Sequence, residues 1–376
     1  MGPCRGLPTF LVDADLDDDG VVTSADLAAA TACLGTEIGA PQIEFDTGGC
    51  PVRVGPPLTG CEAADVDRDG SVTDGDLALV AQRTGAPVCN GSEELCDRPF
   101  DQVAYATTHN AMSARFDPYD YSILISNQCS GVPAQLADGI RALMLDIHWY
   151  QPPATVAPDL YLCHSECGLG SQLLVDGLAE IRAFLDAHPG EVISFIIETN
   201  EGTSGREAQI RDAFDASGLL PYAYAQTPGA PWPTLGAMIA ANQRLVVLTD
   251  DASPNAGCDA SGAPCPWYQS LWSSLAFETA FSYSKPADFS CADNRGEPGN
   301  DLFILNHFLT NNIGAPNFAQ QVNYDPLLSA RARECWATQN HVPNFVTVDF
   351  YEIGSVLRTA NLLNYLWGRT GGAPFP

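Results

Sequence analysis

The chain has 376 residues, 45% hydrophobic and 17% charged, which suits one large globular domain and a small one. Its formal net charge of −29 repels nucleic acid and anionic membrane surfaces at long range and suits calcium, which takes several carboxylates. No run is long and apolar enough to span a membrane. The 13 cysteines, with no CxxC pair and no Cys/His zinc spacing, point to disulfides in a secreted or cell-surface protein. The start, MGPCRGLPTF, lacks the basic and apolar regions of a signal peptide; if the protein is exported, the signal has been removed or lies outside these residues.

The first 90 residues carry a repeat, DLDDDGVVTSADLAAA and DVDRDGSVTDGDLALV. Each copy is an acidic loop followed by an apolar helix, which predicts a small all-α module over 1–90. In the first loop Asp15, Asp17, Asp19, Gly20 and Asp26 fall at positions 1, 3, 5, 6 and 12 of an EF-hand-type loop. Asp65, Asp67, Asp69, Gly70 and Asp76 repeat the pattern, and Val21 and Ser71 offer backbone carbonyls at position 7. Alternate carboxylates wrap a hard cation while the glycine allows the sharp turn, so two calcium ions are expected here. An aspartate at position 12, with a helix only after the loop, resembles the dockerin family. That resemblance implies paired calcium sites and a cohesin-type protein partner. The loops start 50 residues apart, at Asp15 and Asp65, which is wide for that family. The intervening residues 36–60, rich in Gly and Pro, read as a loop.

Residues 86–97 read as a linker held by Cys89 and Cys96. Cys50 and Cys61, Cys163 and Cys167, and Cys258 and Cys265 are further closely spaced cysteines, with connectivity open. From Phe100 onward short β-rich runs alternate with amphipathic helices, which predicts an α/β fold with a parallel sheet. Strands are expected at 103–108, 143–148, 160–163, 193–198, 245–249, 302–307 and 345–350, with a weak eighth near 221–224. Helices are expected at 172–188, 205–217, 234–242, 267–280, 326–338 and 354–367. Seven or eight such units over 97–376 fit a β/α (TIM-type) barrel. A doubly wound sheet would show a Gly-rich phosphate loop after its first strand, and none is present.

Several apolar runs end in titratable groups. They deliver His109 and Asn110, then Asp146 and His148, then His164, then Glu198. That pattern suits a site on the rim of a parallel barrel. Two histidines at strand ends can supply a base and an acid on either side of a phosphodiester. Its negative charge grows in the transition state, so a metal or a cationic side chain must neutralise it. Arg141 and His307 are candidate substrate-binding residues. His188 reads as a helix-end residue and His341 as a structural one.

Residues 97–366 resemble the phosphatidylinositol-specific phospholipase C X-domain superfamily. The resemblance rests on ATTHNAM, LADGIRALMLDIHWY, LYLCHSECG, VISFIIETN, NQRLVVLTD and NFVTVDFYE, in that order. It implies a barrel phosphodiesterase with His109 as general base and His164 as general acid. It also implies Asn110, Asp146 and Glu198 as calcium ligands, as in the metal-dependent members. Met144 stands where those members often carry glutamate, and His148, where metal-independent members carry arginine, is a further candidate catalytic residue that would serve as the cation if protonated. Asp349 is placed to hydrogen-bond a catalytic histidine.

The expected substrate is a phospholipid or related phosphodiester. Two readings of other classes remain in view. One is a non-catalytic calcium-binding surface or adhesion protein that keeps the barrel as a scaffold. The other is a glycoside hydrolase, with Glu198 paired to Asp349 or Asp146. Both leave the two histidines unexplained.

Overall fold

The computed structural model describes residues 13–38, 42–46, 48–54, 60–116, 121–122, 124–153, 157–200, 202–252, 264–310 and 315–374. In the N-terminal part, helix α1 (Ser24–Ala32) and helix α2 (Asp74–Arg83) follow the two acidic loops and pack on each other. Their small core includes Ala14, Val22, Ala30, Val66, Val72 and Val80. The module is not purely helical. Strands β1 (Gln42–Phe45) and β2 (Pro51–Val54) form an antiparallel ribbon where a plain loop is expected from sequence. The linker expectation also changes, because Glu93–Cys96 forms a short helix, α3, closed by the Cys89–Cys96 disulfide.

The second part is built on β3 (Tyr105–Thr108), β4 (Ala142–Tyr150), β7 (Ile193–Thr199), β8 (Leu245–Thr249), β12 (Leu302–Asn306) and β13 (Phe345–Val348). The segment expected as one helix at 267–280 instead divides into strand β9 (Tyr268–Ser270), a single turn α8 (Leu271–Ser274) and strand β10 (Ala276–Thr279). The sheet runs β10, β12, β13, β3, β4, β7, β8, β9, each parallel to the next. The short strand β11 (Asp293–Arg295) caps one edge by pairing antiparallel with β10. The expected strand at 160–163 is present as β5 (Asp159–Leu162), but it pairs antiparallel with the far end of β4 and with β6 (Gln172–Leu173). The weak strand near 221–224 is a 3₁₀ turn, Leu220–Tyr222, with one bridge from Ala223 to Leu245.

Strand alternation divides the side chains of the sheet into two sets. One set of side chains, Tyr105, Ala142, Ile196, Val246, Leu248, Ala276, Ile304 and Phe345, forms a single buried cluster. These come from strands at both ends of the sheet, so the sheet wraps round onto itself as a barrel. The alternate set, including Leu143, Phe195, Val247, Phe303 and Val346, packs outward against helices. Those helices are α5 (Leu174–Ala187), α6 (Glu207–Ser217), α10 (Leu327–Gln339) and α11 (Val356–Thr370). Shorter helices α4 (Val132–Ala137), α7 (Leu235–Ala240) and α9 (Pro316–Val322) fill the remaining connections. Among the described residues no ladder joins β9 to β10, so the barrel keeps a seam there.

The disulfides are Cys33–Cys61, Cys50–Cys129, Cys89–Cys96, Cys163–Cys167 and Cys291–Cys335 among the described residues. Cys50 and Cys61 are thus not partners of each other, and Cys258 lies outside the described residues. No helix among the described residues is long and apolar enough to cross a membrane.

Candidate active site

The parallel strands deliver polar groups to one end of the barrel. His109 and Asn110 follow β3, Asp146 lies in β4, Glu198 in β7, and Asp250 follows β8. Glu278 lies in β10, Asn306 ends β12, and Asp349 follows β13. Register brings neighbours together: Asp146 pairs with Glu198, and Thr108 pairs with Val348 just before His109 and Asp349. One cavity is lined by His109, Asn110, Asp146, Glu198, Asp250, Glu278, Arg295 and Asn306, with apolar walls from Ile196, Trp272, Phe281 and Phe308.

His109 Nδ1 lies 2.8 Å from Asp349 Oδ1, and its ring stacks on Phe308 at 4.0 Å between centroids. The same Asp349 oxygen accepts from Asn127 Nδ2 at 3.0 Å, and Asn127 Oδ1 accepts from Asn110 Nδ2 at 3.2 Å. Gln128 Nε2 donates to the His109 carbonyl at 2.7 Å. His164 Nδ1 lies 2.8 Å from the Ile125 carbonyl. Burial lowers the His164 pKa, a bond to the Ile125 carbonyl opposes this, and nearby His109 lowers it further. His164 itself is not among the residues that line the cavity. Each of His109, His164 and Asp349 is followed by a non-glycine residue of left-handed backbone: Asn110 (φ 46°), Ser165 (φ 62°) and Phe350 (φ 48°). Such backbone is uncommon, most of all for a bulky residue, and clusters at functional sites.

The cavity is crowded with carboxylates. Burial raises Asp146 well above the usual carboxylate range, with Glu198 and Asp250 adding repulsion. Glu198 is raised by burial and then by Asp250, against the lowering pull of His109 and Arg295. Buried like charges favour either a proton or a cation between them. Asp146, Glu198 and Asp250 are the carboxylates that could share such a cation, although their oxygens do not all lie within 4.8 Å of one another. The tight three-ligand groups among the described residues lie elsewhere: Asp15, Asp17 and Asp19; Asp65, Asp67 and Asp76; and His148 with Cys163 and Cys167. The last is no metal site, because its two sulfurs are joined as a disulfide.

The acidic loops fit a hard cation. Asp15 is spread between the Asp19 and Gly20 amides at 3.1 and 2.7 Å, and Asp65 between Asp69 and Gly70, both at 3.0 Å. Asp26 and Asp76 fold back on the Thr23 and Thr73 amides at 2.6 and 2.8 Å, starting helices α1 and α2. Burial pushes Asp15 up to about 6. Asp26 is lowered: burial opposes its charge, but amides of Thr23, Leu16 and Asp17 outweigh it.

Two sequence expectations need correction. Arg141 precedes β4, at the end of the barrel away from the cavity. It pairs with Glu191 and donates to the Leu136 carbonyl at 2.6 Å, so it is not placed to meet substrate. His307 follows inward-facing Asn306 and turns to the outer face by alternation. It is fully buried between the Val322 carbonyl (3.0 Å) and Arg331 (3.1 Å), and burial followed by Arg331 lowers it to about 3. His148 lies two residues beyond Asp146, where β4 leaves the barrel to pair with β5, and like His164 and Asp349 it is not among the residues that line the cavity. His188 caps α5 and pairs with Asp18, and His341 sits between the Val342 and Asp301 carbonyls. Asp250, Glu278, Arg295 and Asn306 were missed. Asp250 and Asn306 end apolar runs, LVVLTD and FILN, and carried the same signal as Asp146. Glu278 was hidden inside the expected helix. Arg295 pairs with Glu278 at 2.5 Å and packs over Trp272 and Phe281.

The family model described as PI-PLC X 1 matches residues 95–364. The chain belongs to the PI-PLC X domain family. The Dockerin type I domain model matches residues 13–85. A "PI-PLC X domain-containing protein 1" of Arthroderma benhamiae is 28% identical over 298 residues, covering 74% of this chain and 90% of that protein. An "Uncharacterized secreted protein" of the same organism is 28% identical over 302 residues, covering 73% of this chain and 62% of that one. Among solved structures, the phosphatidylinositol-specific phospholipase C of Listeria monocytogenes is 15% identical, with a TM-score of 0.44 over 72% of this chain and 95% of that one. The X domain's family match thus spans the barrel strands and the polar ring at their ends.

Proposed function

We propose that this X-domain chain is a secreted or cell-surface phosphodiesterase that cleaves a phospholipid or related phosphodiester by acid–base catalysis. Its barrel, residues 97–376, carries the chemistry, and residues 1–90 form a calcium-binding dockerin-like module. The observation that carries this reading is the bond from His109 Nδ1 to Asp349. An imidazole bonded at Nδ1 to a carboxylate keeps Nε2 free of its proton and able to accept one. His109 then takes the proton of an attacking hydroxyl of the substrate. His164, also bonded through Nδ1, gives a proton from Nε2 to the leaving oxygen. With an inositol headgroup the product is a cyclic phosphate.

Asp146, Glu198, Asp250 and Asn110 would hold a calcium ion, which supplies charge neutralisation at the phosphate when bound. The module's likeness to dockerins supports two further calcium ions and a protein partner. The glycoside hydrolase reading loses a carboxylate, because Asp349 is engaged with His109.

The test is a panel of phosphatidylinositol, phosphatidylcholine, sphingomyelin and glycerophosphodiesters, assayed with and without chelator. Cleavage of at least one, lowered by chelator and lost in His109→Ala, is expected. No cleavage of any member with calcium present would sink the reading.

A further inference from the structure

The wide spacing of the two acidic loops has a structural counterpart. The Cys33–Cys61 disulfide closes the base of the segment between them. The tip of that segment, the turn between β1 and β2, is fastened to the barrel. Cys50 is disulfide-bonded to Cys129, and both are buried with Phe350 and Ile353. Asp46 pairs with Arg115 at 3.2 Å and accepts from the Gly48 and Cys50 amides at 2.9 and 2.8 Å. A Cβ at Gly48 would fall on the Arg115 guanidinium, so a larger residue there would push this side chain out of its present position.

The barrel residues gripped in this way flank the His109–Asp349 pair. Cys129 follows Gln128, whose side chain holds the His109 carbonyl at 2.7 Å, and Asn127, whose side chain holds Asp349 at 3.0 Å. Asn127 also accepts from the Phe350 amide at 2.7 Å. Arg115 N donates to the Gln128 carbonyl at 3.1 Å, which ties the two gripped strands of the loop together.

We propose that Asp46, Gly48 and Cys50, contributed by the segment between the calcium loops, are positioning residues for the His109–Asp349 pair. They act through Arg115 and Cys129 on the loop that carries Asn127 and Gln128. The proposal rests on the phosphodiesterase reading for its effect on turnover. The N-terminal module is then part of the catalytic support as well as a tethered unit. The Asp46–Arg115 pair is mostly buried, so the thermal midpoint separates an effect on chemistry from a loss of stability.

The test uses the full chain carrying Asp46→Asn, and separately Cys50→Ser with Cys129→Ser. Each is measured for kcat, KM, thermal midpoint and the low-field proton resonance of His109 Nδ1–H, which is assigned by its absence in His109→Ala. The expected result is a loss of about tenfold in kcat with KM little changed, the scale of a small misplacement of a catalytic group. The low-field resonance should broaden or disappear. If the disulfide variant fails to fold, Asp46→Asn decides. A folded variant with unchanged kcat and an unchanged resonance overturns the proposal. If the wild-type chain cleaves no phosphodiester, the functional reading fails by itself, and the resonance alone decides whether the module positions the pair.

Discussion

His164 has Nδ1 engaged by the Ile125 carbonyl, so Nε2 is the ring nitrogen left for proton transfer. Burial lowers its pKa. A general acid works only when protonated, so the falling high-pH limb of kcat should lie below the ordinary histidine value of about 6.5. His164→Ala should lower turnover of a phospholipid about a hundredfold. A substrate whose leaving group needs no proton should lose far less, and should show no such high-pH limb even with the wild-type chain. Equal losses on both substrates would count against the acid role. His109, Asp146 and Glu198, which line the cavity, were legible because each ends a short apolar run. His307 ends such a run too, yet it turns outward, because one residue along a strand reverses the face. Arg141 was misread for a related reason: lying at the start of its strand, it reaches the opposite end of the barrel.

At the scale of elements, the two loop–helix units carry the clearest expectation. Asp15, Asp17 and Asp19 bring carboxylate oxygens within 4.8 Å of one another, as do Asp65, Asp67 and Asp76. Calorimetry on the full chain should find one calcium ion per loop, and Asp26→Ala and Asp76→Ala should each abolish one binding event. An unchanged stoichiometry in both variants would refute the paired sites. The parallel strands were readable because they are apolar and separated by amphipathic helices. The segment 267–280 was not. Tyr268, Leu271, Trp272 and Leu275 fall at helical spacing, but only Leu271–Ser274 turns, and the flanking residues pair as β9 and β10. Tertiary pairing overrode a local period. The ribbon of β1 and β2 escaped notice because a short two-stranded ribbon is weak alone. Here a disulfide to Cys129, distant in sequence, fastens it.

Across the whole molecule, the formal net charge of −29 sets how it meets a lipid surface. On vesicles rich in anionic lipid, the apparent rate should rise with added monovalent salt as the repulsion is screened. On zwitterionic vesicles doped with the same substrate, salt should matter little. A rate that falls with salt on anionic vesicles would mean that a basic surface, not the overall field, governs the encounter. The central claim is that two histidines at one end of this barrel cleave a phosphodiester by passing protons. Phosphorus NMR of phosphatidylinositol incubated with the full chain and calcium tests it most directly. The expected record is loss of the diester signal and growth of a cyclic inositol phosphate signal, with neither change in His109→Ala. An unchanged diester signal with wild-type protein for phosphatidylinositol and for every other member of the panel, or equal conversion by His109→Ala, would contradict it.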